Sequence, residues 1–115
     1  MATILPDAVE EGAYFPVVSF FDEDDAAVTP ASATWTLTDG NGTVINSRTA
    51  VTITGLSTTA TLALTGNDLA ISTGELASRV LRKLLVQWLY TSSISGAGTP
   101  GTEEFSFYIK NASAL

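Results

Sequence analysis

The chain has 115 residues, a net charge of −7, 15% charged residues, no cysteine and no histidine. That length suits one domain with a single core; the missing cysteines exclude a disulfide framework and a thiolate metal site, and the missing histidines remove the commonest general base and the usual near-neutral pH switch. The acidic balance argues against nucleic acid and against an anionic membrane, because both need clustered lysine and arginine.

Residues 1–11 read as an N-terminal arm or edge strand. Pro6 limits its pairing, and Ile4 and Leu5 are poorly used by the core of a domain spanning 12–115. The first residues lack a basic start and a long apolar run, so no leader peptide is expected. Residues 14–21 are rich in β-formers with large apolar groups at both parities, as in a strand covered on both sides. Residues 22–30 form an acidic loop. Ala33, Trp35 and Leu37 then alternate with Thr34, Thr36 and Thr38, the period of a strand with one buried face. Asn41-Gly42 predicts a tight hairpin, since both residues tolerate positive φ, and 43–47 is the returning strand. Residues 51–53 form a short strand, 59–64 a strand with Ala60, Leu62 and Leu64 inward, and Gly66-Asn67-Asp68 a break.

Residues 72–90 admit two readings. Ser72 and Glu75 have capping-box spacing, and Val80, Leu81, Leu84, Leu85, Trp88 and Leu89 fit a helical stripe. The alternative is a strand from Arg82, with Leu84, Val86, Trp88 and Tyr90 on one face, preceded by a helical turn near 75–79. Gly74, the aromatics and the surrounding strands favour this second reading. The apolar run 80–90 is too short to span a membrane. Residues 92–101 read as a loop and 103–110 as a last strand burying Phe105, Phe107 and Ile109. About seven strands with turn signals between them are the pattern of an all-β, immunoglobulin-like antiparallel sandwich.

Candidate chemistry is sparse. Residues 96–101 match GxGxxG, but a strand pattern follows where a dinucleotide site needs a helix, so the glycines are assigned to a hairpin loop and no cofactor is expected. Asp22, Asp24 and Asp25 offer oxygen ligands for calcium, without the glycine and distal glutamate of an EF-hand; a solvated acidic turn is the commoner outcome. No carboxylate pair or serine–base arrangement stands out, so no enzyme is expected. Trp35 and Trp88 share the apolar parity and are assigned to the core. Leu85 and Leu89 then face outward and, with Tyr108 and the threonines of the first hairpin, compose a flat interaction face. Arg79, Arg82 and Lys83 form a late basic cluster: solvated charge is the commoner outcome for such runs, and the alternative is a patch that steers an acidic end of another copy toward it.

The block Trp35-Thr36-Leu37-Thr38-Asp39-Gly40-Asn41-Gly42-Thr43-Val44-Ile45-Asn46-Ser47-Arg48 resembles one in small structural proteins of tailed-bacteriophage virions. Leu64-Thr65-Gly66-Asn67-Asp68-Leu69-Ala70, Arg82-Lys83-Leu84-Leu85-Val86, Tyr90-Thr91-Ser92-Ser93 and Glu104-Phe105-Ser106-Phe107-Tyr108-Ile109 resemble later parts, so the likeness runs over residues 14–110. Val80-Leu81 and the stretch around Glu75 depart from it. The resemblance implies an immunoglobulin-like, non-enzymatic virion component assembled in the host cytoplasm. Such a component would be a capsid decoration or cement protein, or a neck or tail piece. It would bind the major capsid protein or other virion proteins, as a homo-oligomer, through its arm and one face. An immunoglobulin-like cell-surface or carbohydrate-binding module is the alternative.

Overall fold

A computed structural model describes residues 2–5, 7–9, 12–70 and 79–110. Its strands in chain order are β1 (Ala2–Ile4), β2 (Ala8–Val9), β3 (Ala13–Tyr14), β4 (Val17–Ser19), β5 (Ser32–Asp39), β6 (Val51–Thr52), β7 (Thr59–Thr61), β8 (Leu64–Thr65), β9 (Arg79–Ser92) and β10 (Gly96–Lys110), with a 3-10 turn at Gly66–Leu69. The described chain is thus all-β. One sheet runs β1-β10-β9-β5-β6, with β2 also on β10, and the pairs β3–β8 and β4–β7 lie outside it. Rings join the layers: Phe20 meets Trp88 edge-on at 5.4 Å, and Tyr14 meets Phe107 at 4.9 Å. Such pairs add to the burial that holds two layers together.

β9 is the central strand, paired antiparallel with β5 and β10. The strand reading of 82–90 holds, and β9 begins earlier, at Arg79. The helical turn expected near 75–79 falls outside the described residues up to Arg79. Alternation buries Leu84, Val86, Trp88 and Tyr90 of β9, Ala33, Trp35 and Leu37 of β5, and Phe105, Phe107 and Ile109 of β10. Val18, Phe20, Ala60, Leu62 and Leu64 close the core from the other layer. Both tryptophans are core residues, as their parity predicts.

Several expectations are corrected. Residues 92–101 are mostly strand: the hairpin turns at 93–95 and β10 starts at Gly96, with a register shift between Gly96 and Thr99. The sheet is also not wholly antiparallel, because β1 and β2 run parallel to β10, Ile4 pairing with Ser106 and Ala8 with Ile109. Of the two readings of the N-terminal segment, its described residues follow the edge strand: Leu5 donates its N–H to Ser106 and packs against the core. Residues 14–21 are covered on one side only. Pro16 parts β3 from β4, and Phe15, Val17 and Phe21 face outward, exposed, while Val18 and Phe20 face in.

The first hairpin differs in its turn. Only Gly42 takes positive φ, +88°, whereas Asn41 does not. Asp39 Oδ1 accepts from the N–H groups of Asn41 (2.8 Å) and Thr43 (3.0 Å), so an aspartate-stabilised turn with a left-handed glycine replaces the two-residue reversal. The returning strand over 43–47 reduces to one bridge, Thr38 with Val44, because Asn46 and Ser47 both turn left-handed (φ 53° and 57°).

That left-handed step aims side chains at the opposite layer. Asp68 is fully buried in the 3-10 turn and accepts from Arg48 Nε (2.6 Å), Asn46 Nδ2 (2.8 Å) and the Thr65 N–H (3.2 Å). Burial alone would raise its pKa, yet these donors hold the carboxyl below the ordinary carboxylate range. The Arg48 guanidinium also lies 5.8 Å from the Trp35 ring. Asp68→Asn should cost about 2 kcal/mol at neutral pH, the scale for losing hydrogen bonds to a charged group, because the Arg48 side chain is itself 39% exposed. Because the folded pKa is depressed, wild-type stability is complete above the ordinary carboxylate value and falls as pH drops through the lower folded one. Urea unfolding of both proteins across acid pH checks this: the gap between them should close as Asp68 protonates.

Gly101 lies opposite Trp88 in the ladder, and a Cβ there would overlap the indole. Gly101→Ala should therefore cost about 2 kcal/mol through overpacking, and less when Trp88→Phe removes part of the ring. A double-mutant cycle by thermal unfolding measures the relief; an equal cost in both backgrounds would contradict it.

Candidate interaction surface

The outer parity of the large sheet holds the residues expected to form one face. Thr36 stands opposite Leu85, and Leu85 opposite Glu104; Ser32 stands opposite Leu89, and Leu81 opposite Tyr108. Period two therefore sets Leu81, Lys83, Leu85, Gln87 and Leu89 in a file down β9, with Thr34, Thr36 and Thr38 on one side and Glu104, Ser106 and Tyr108 on the other. Leu89 is 42% and Tyr108 36% exposed, and Leu85 is half-buried by its neighbours. The small hydroxyl residues on the β5 side of the leucines lose little rotamer freedom when covered.

The basic cluster does not form. Arg82 falls on the inner parity and is 1% exposed; its Nη1 donates to Leu81 O (3.0 Å) and its Nη2 to Ala70 O (3.2 Å). Strand alternation explains this, since the parity that buries Leu84 also buries the residue two before it. Lys83 remains on the outer face, 3.9 Å from Glu104, which is diagonal to it across the ladder. For Arg79 and Ile4 the backbone alone is described: Arg79 opens β9 and Ile4 closes β1.

The acidic loop is a defined turn. Asp22 Oδ1 accepts from the N–H groups of Asp24 (2.9 Å) and Ala26 (3.0 Å), and Asp25 sits at φ 60°. The carboxylates that converge are those of Asp22, Glu23 and Asp24, within 4.8 Å, rather than Asp22, Asp24 and Asp25. Glu23 Oε1 already accepts from the hydroxyls of Ser92 and Tyr90. Burial first, and then Glu23, raise the Tyr90 pKa, so the phenol stays a donor. A cleft of about 360 Å³ opens beside this turn, with Phe21, Asp22, Asp25, Tyr90 and Glu103 among its lining. The Trp88 and Tyr90 rings beside it are buried, and Phe21, 37% exposed, is the open ring of its lining.

The glycine-rich run 96–101 opens β10, which continues as strand to Lys110. It lacks the helix N-terminus that would hold a phosphate. One exposed group has no warning in the sequence pattern: Ile94, 85% exposed at the hairpin tip, where Ser92 Oγ accepts from the Ile94 and Ser95 N–H groups. A tip of serines hides a lone isoleucine from any periodicity test.

No protein-family model, curated protein or solved structure matches this chain. For the acidic turn, two carboxylates are committed to internal donors, and a hard cation wants six or more free oxygens. Millimolar calcium should therefore leave the thermal midpoint unchanged; a rise that Asp24→Asn abolishes would establish a site.

Proposed function

We propose that this chain is a non-enzymatic structural protein of a tailed-phage virion, an immunoglobulin-like decoration or cement protein that docks the outer face of its large sheet on neighbouring shell subunits. The supporting observation is that Leu81, Leu85 and Leu89, alternating with Lys83 and Gln87 on the outer parity of β9, stay partly open beside Tyr108 with threonines on the β5 side. Apolar groups that a core could have used stand instead where only another surface can cover them. The resemblance over residues 14–110 supplies the virion setting. A decoration protein needs no reacting groups: it strengthens a shell by burying surface across subunits that must then separate together.

Leu85→Ser with Leu89→Ser should keep the fold, because neither residue belongs to the buried core. Binding to shells of the phage whose genome encodes the chain should weaken about a hundredfold, the scale for losing two leucine contacts in an interface. Co-sedimentation with undecorated shells, alongside native mass of the free protein, reads both points. A folded double variant that still coats shells rules out this face. A wild-type protein that stays in the supernatant rules out the decoration role.

A further inference from the structure

The smaller layer carries a second surface that the outer-face reading leaves unused. Among the described residues β4 pairs only with β7. The direction of its backbone groups follows from two bonds: Phe20 N–H donates to Thr58 O, and Pro16 O accepts from the Leu62 N–H. Even-numbered residues of this strand therefore face β7, and Val17 and Ser19 turn their N–H and C=O groups the other way. No described strand lies on that side. The neighbouring edge is managed differently, since Ser57 Oγ donates to Thr59 O at 3.0 Å and caps the outward carbonyl of β7.

Apart from its short length of three residues, β4 shows few of the usual protections of an exposed edge. Residues 15–21 hold no charged side chain. Pro16 sits on the parity that faces β7, so its missing N–H blocks nothing outside. The N-terminal strands that could have covered this edge lie on β10 instead. Above the edge stand Phe15 and Val17, 57% and 59% exposed. At its C-terminal end stands the acidic turn, where Asp22 and Asp25 share a cleft with Glu103.

We propose that the open edge of β4 receives an extended segment of another protein as an added antiparallel strand. The segment carries apolar residues at alternate positions and a lysine or arginine at its N-terminal end. Antiparallel pairing is the more stable ladder, and it brings the N-terminal end of the incoming strand to the C-terminal end of β4, beside the carboxylates. Alternate apolar residues then cover Phe15 and Val17. A second copy fits poorly: antiparallel pairing of two β4 edges would bring the acidic turn of each toward the start of β3 in the other, and the sequence holds no lysine or arginine before Arg48. The site lies on the layer opposite the outer face and does not depend on that face being an interface.

The probe is a synthetic peptide, Lys-Arg-Ser-Val-Thr-Val-Ser-Val with a C-terminal fluorophore, titrated into the intact protein by anisotropy, with amide hydrogen exchange as the second readout. Its counterpart, Ser-Val-Thr-Val-Ser-Val-Lys-Arg, moves the basic pair to the other end. The first peptide should bind and protect the Val17 and Ser19 amides, and the second should bind about tenfold more weakly, the worth of a favourable charge pairing. Val17→Pro, which removes one outward N–H, should abolish binding. Should that variant fail to fold, Asp24→Asn with Asp25→Asn leaves the strand intact, suits the left-handed backbone at position 25, and should cut the preference between the two peptides about twofold or more, an unchanged preference contradicting the proposal. Absence of binding at millimolar peptide, equal binding of both peptides, or protection elsewhere than β4 overturns the proposal. So does a Val17→Pro-sensitive dimer of the protein alone, which would assign the edge to a second copy.

Discussion

Because β9 pairs with β5 on one side and β10 on the other, its alternation decides at once what the molecule buries and what its outer face shows. Even residues from Val80 to Tyr90 face the core, and odd residues from Leu81 to Leu89 face out. A slip of one residue in either ladder would exchange the two sets. The long hairpin prevents this, since β9 and β10 stay paired from Arg79 with Lys110 to Tyr90 with Thr99. It also forces two costs. Arg82 is carried into the interior, where its guanidinium must find carbonyls, and Trp88 needs an opposite residue without a Cβ, which Gly101 provides.

The second layer is thin, and the large sheet holds it by specific contacts rather than by area alone. The pairs β3–β8 and β4–β7 have two or three residues per strand, too few to be stable without a packed face. Tyr14 and Phe20 anchor them on Phe107 and Trp88, and Trp88 Nε1 also donates to Phe21 O at 3.2 Å. The buried Asp68 carboxylate then ties the 3-10 turn to Asn46 and Arg48, near the loop that follows the first hairpin. With no cysteine to staple the layers, this ion pair and these rings carry that work. Small sheets also leave edges, and among the described residues β4 pairs on one side only.

Much of this was legible in residue order, for a definite reason. Period-two alternation in 33–38, 60–64 and 84–90 depends only on which side of a strand is wet, and each of those segments buries the parity it displays. The outer face follows from the same parity, which is why Leu85, Leu89, Tyr108 and the threonines stand together. Arg82 obeys the same rule, its strand parity outweighing the preference of a charge for water. What alternation cannot supply is pairing between distant segments. Nothing local in residues 2–9 distinguishes a parallel partner in β10 from a free arm. Asp68 offered no sign of burial, because its partners arrive from twenty residues away in the sequence. The glycines of 96–101 read as loop because a strand rarely tolerates so many, and here the Trp88 ring replaces the side chain that Gly101 lacks.

Hydroxyl-rich composition ties the fold to the reading of the outer face. Threonine favours an extended backbone and has only one freely chosen side-chain torsion, so Thr34, Thr36 and Thr38 stabilise β5 while giving a neighbour little disorder to overcome. A lysine-rich face of equal area would keep the protein equally soluble, but it would lose rotamer freedom and desolvate charge on every contact. The price of the threonine solution is low electrostatic steering from that side, leaving the acidic turn at the other end of the sandwich as the place where charge can orient an encounter. On the function proposed above, such a subunit would separate two tasks: the outer face would contribute contact area, and the acidic turn would orient the approach of a partner.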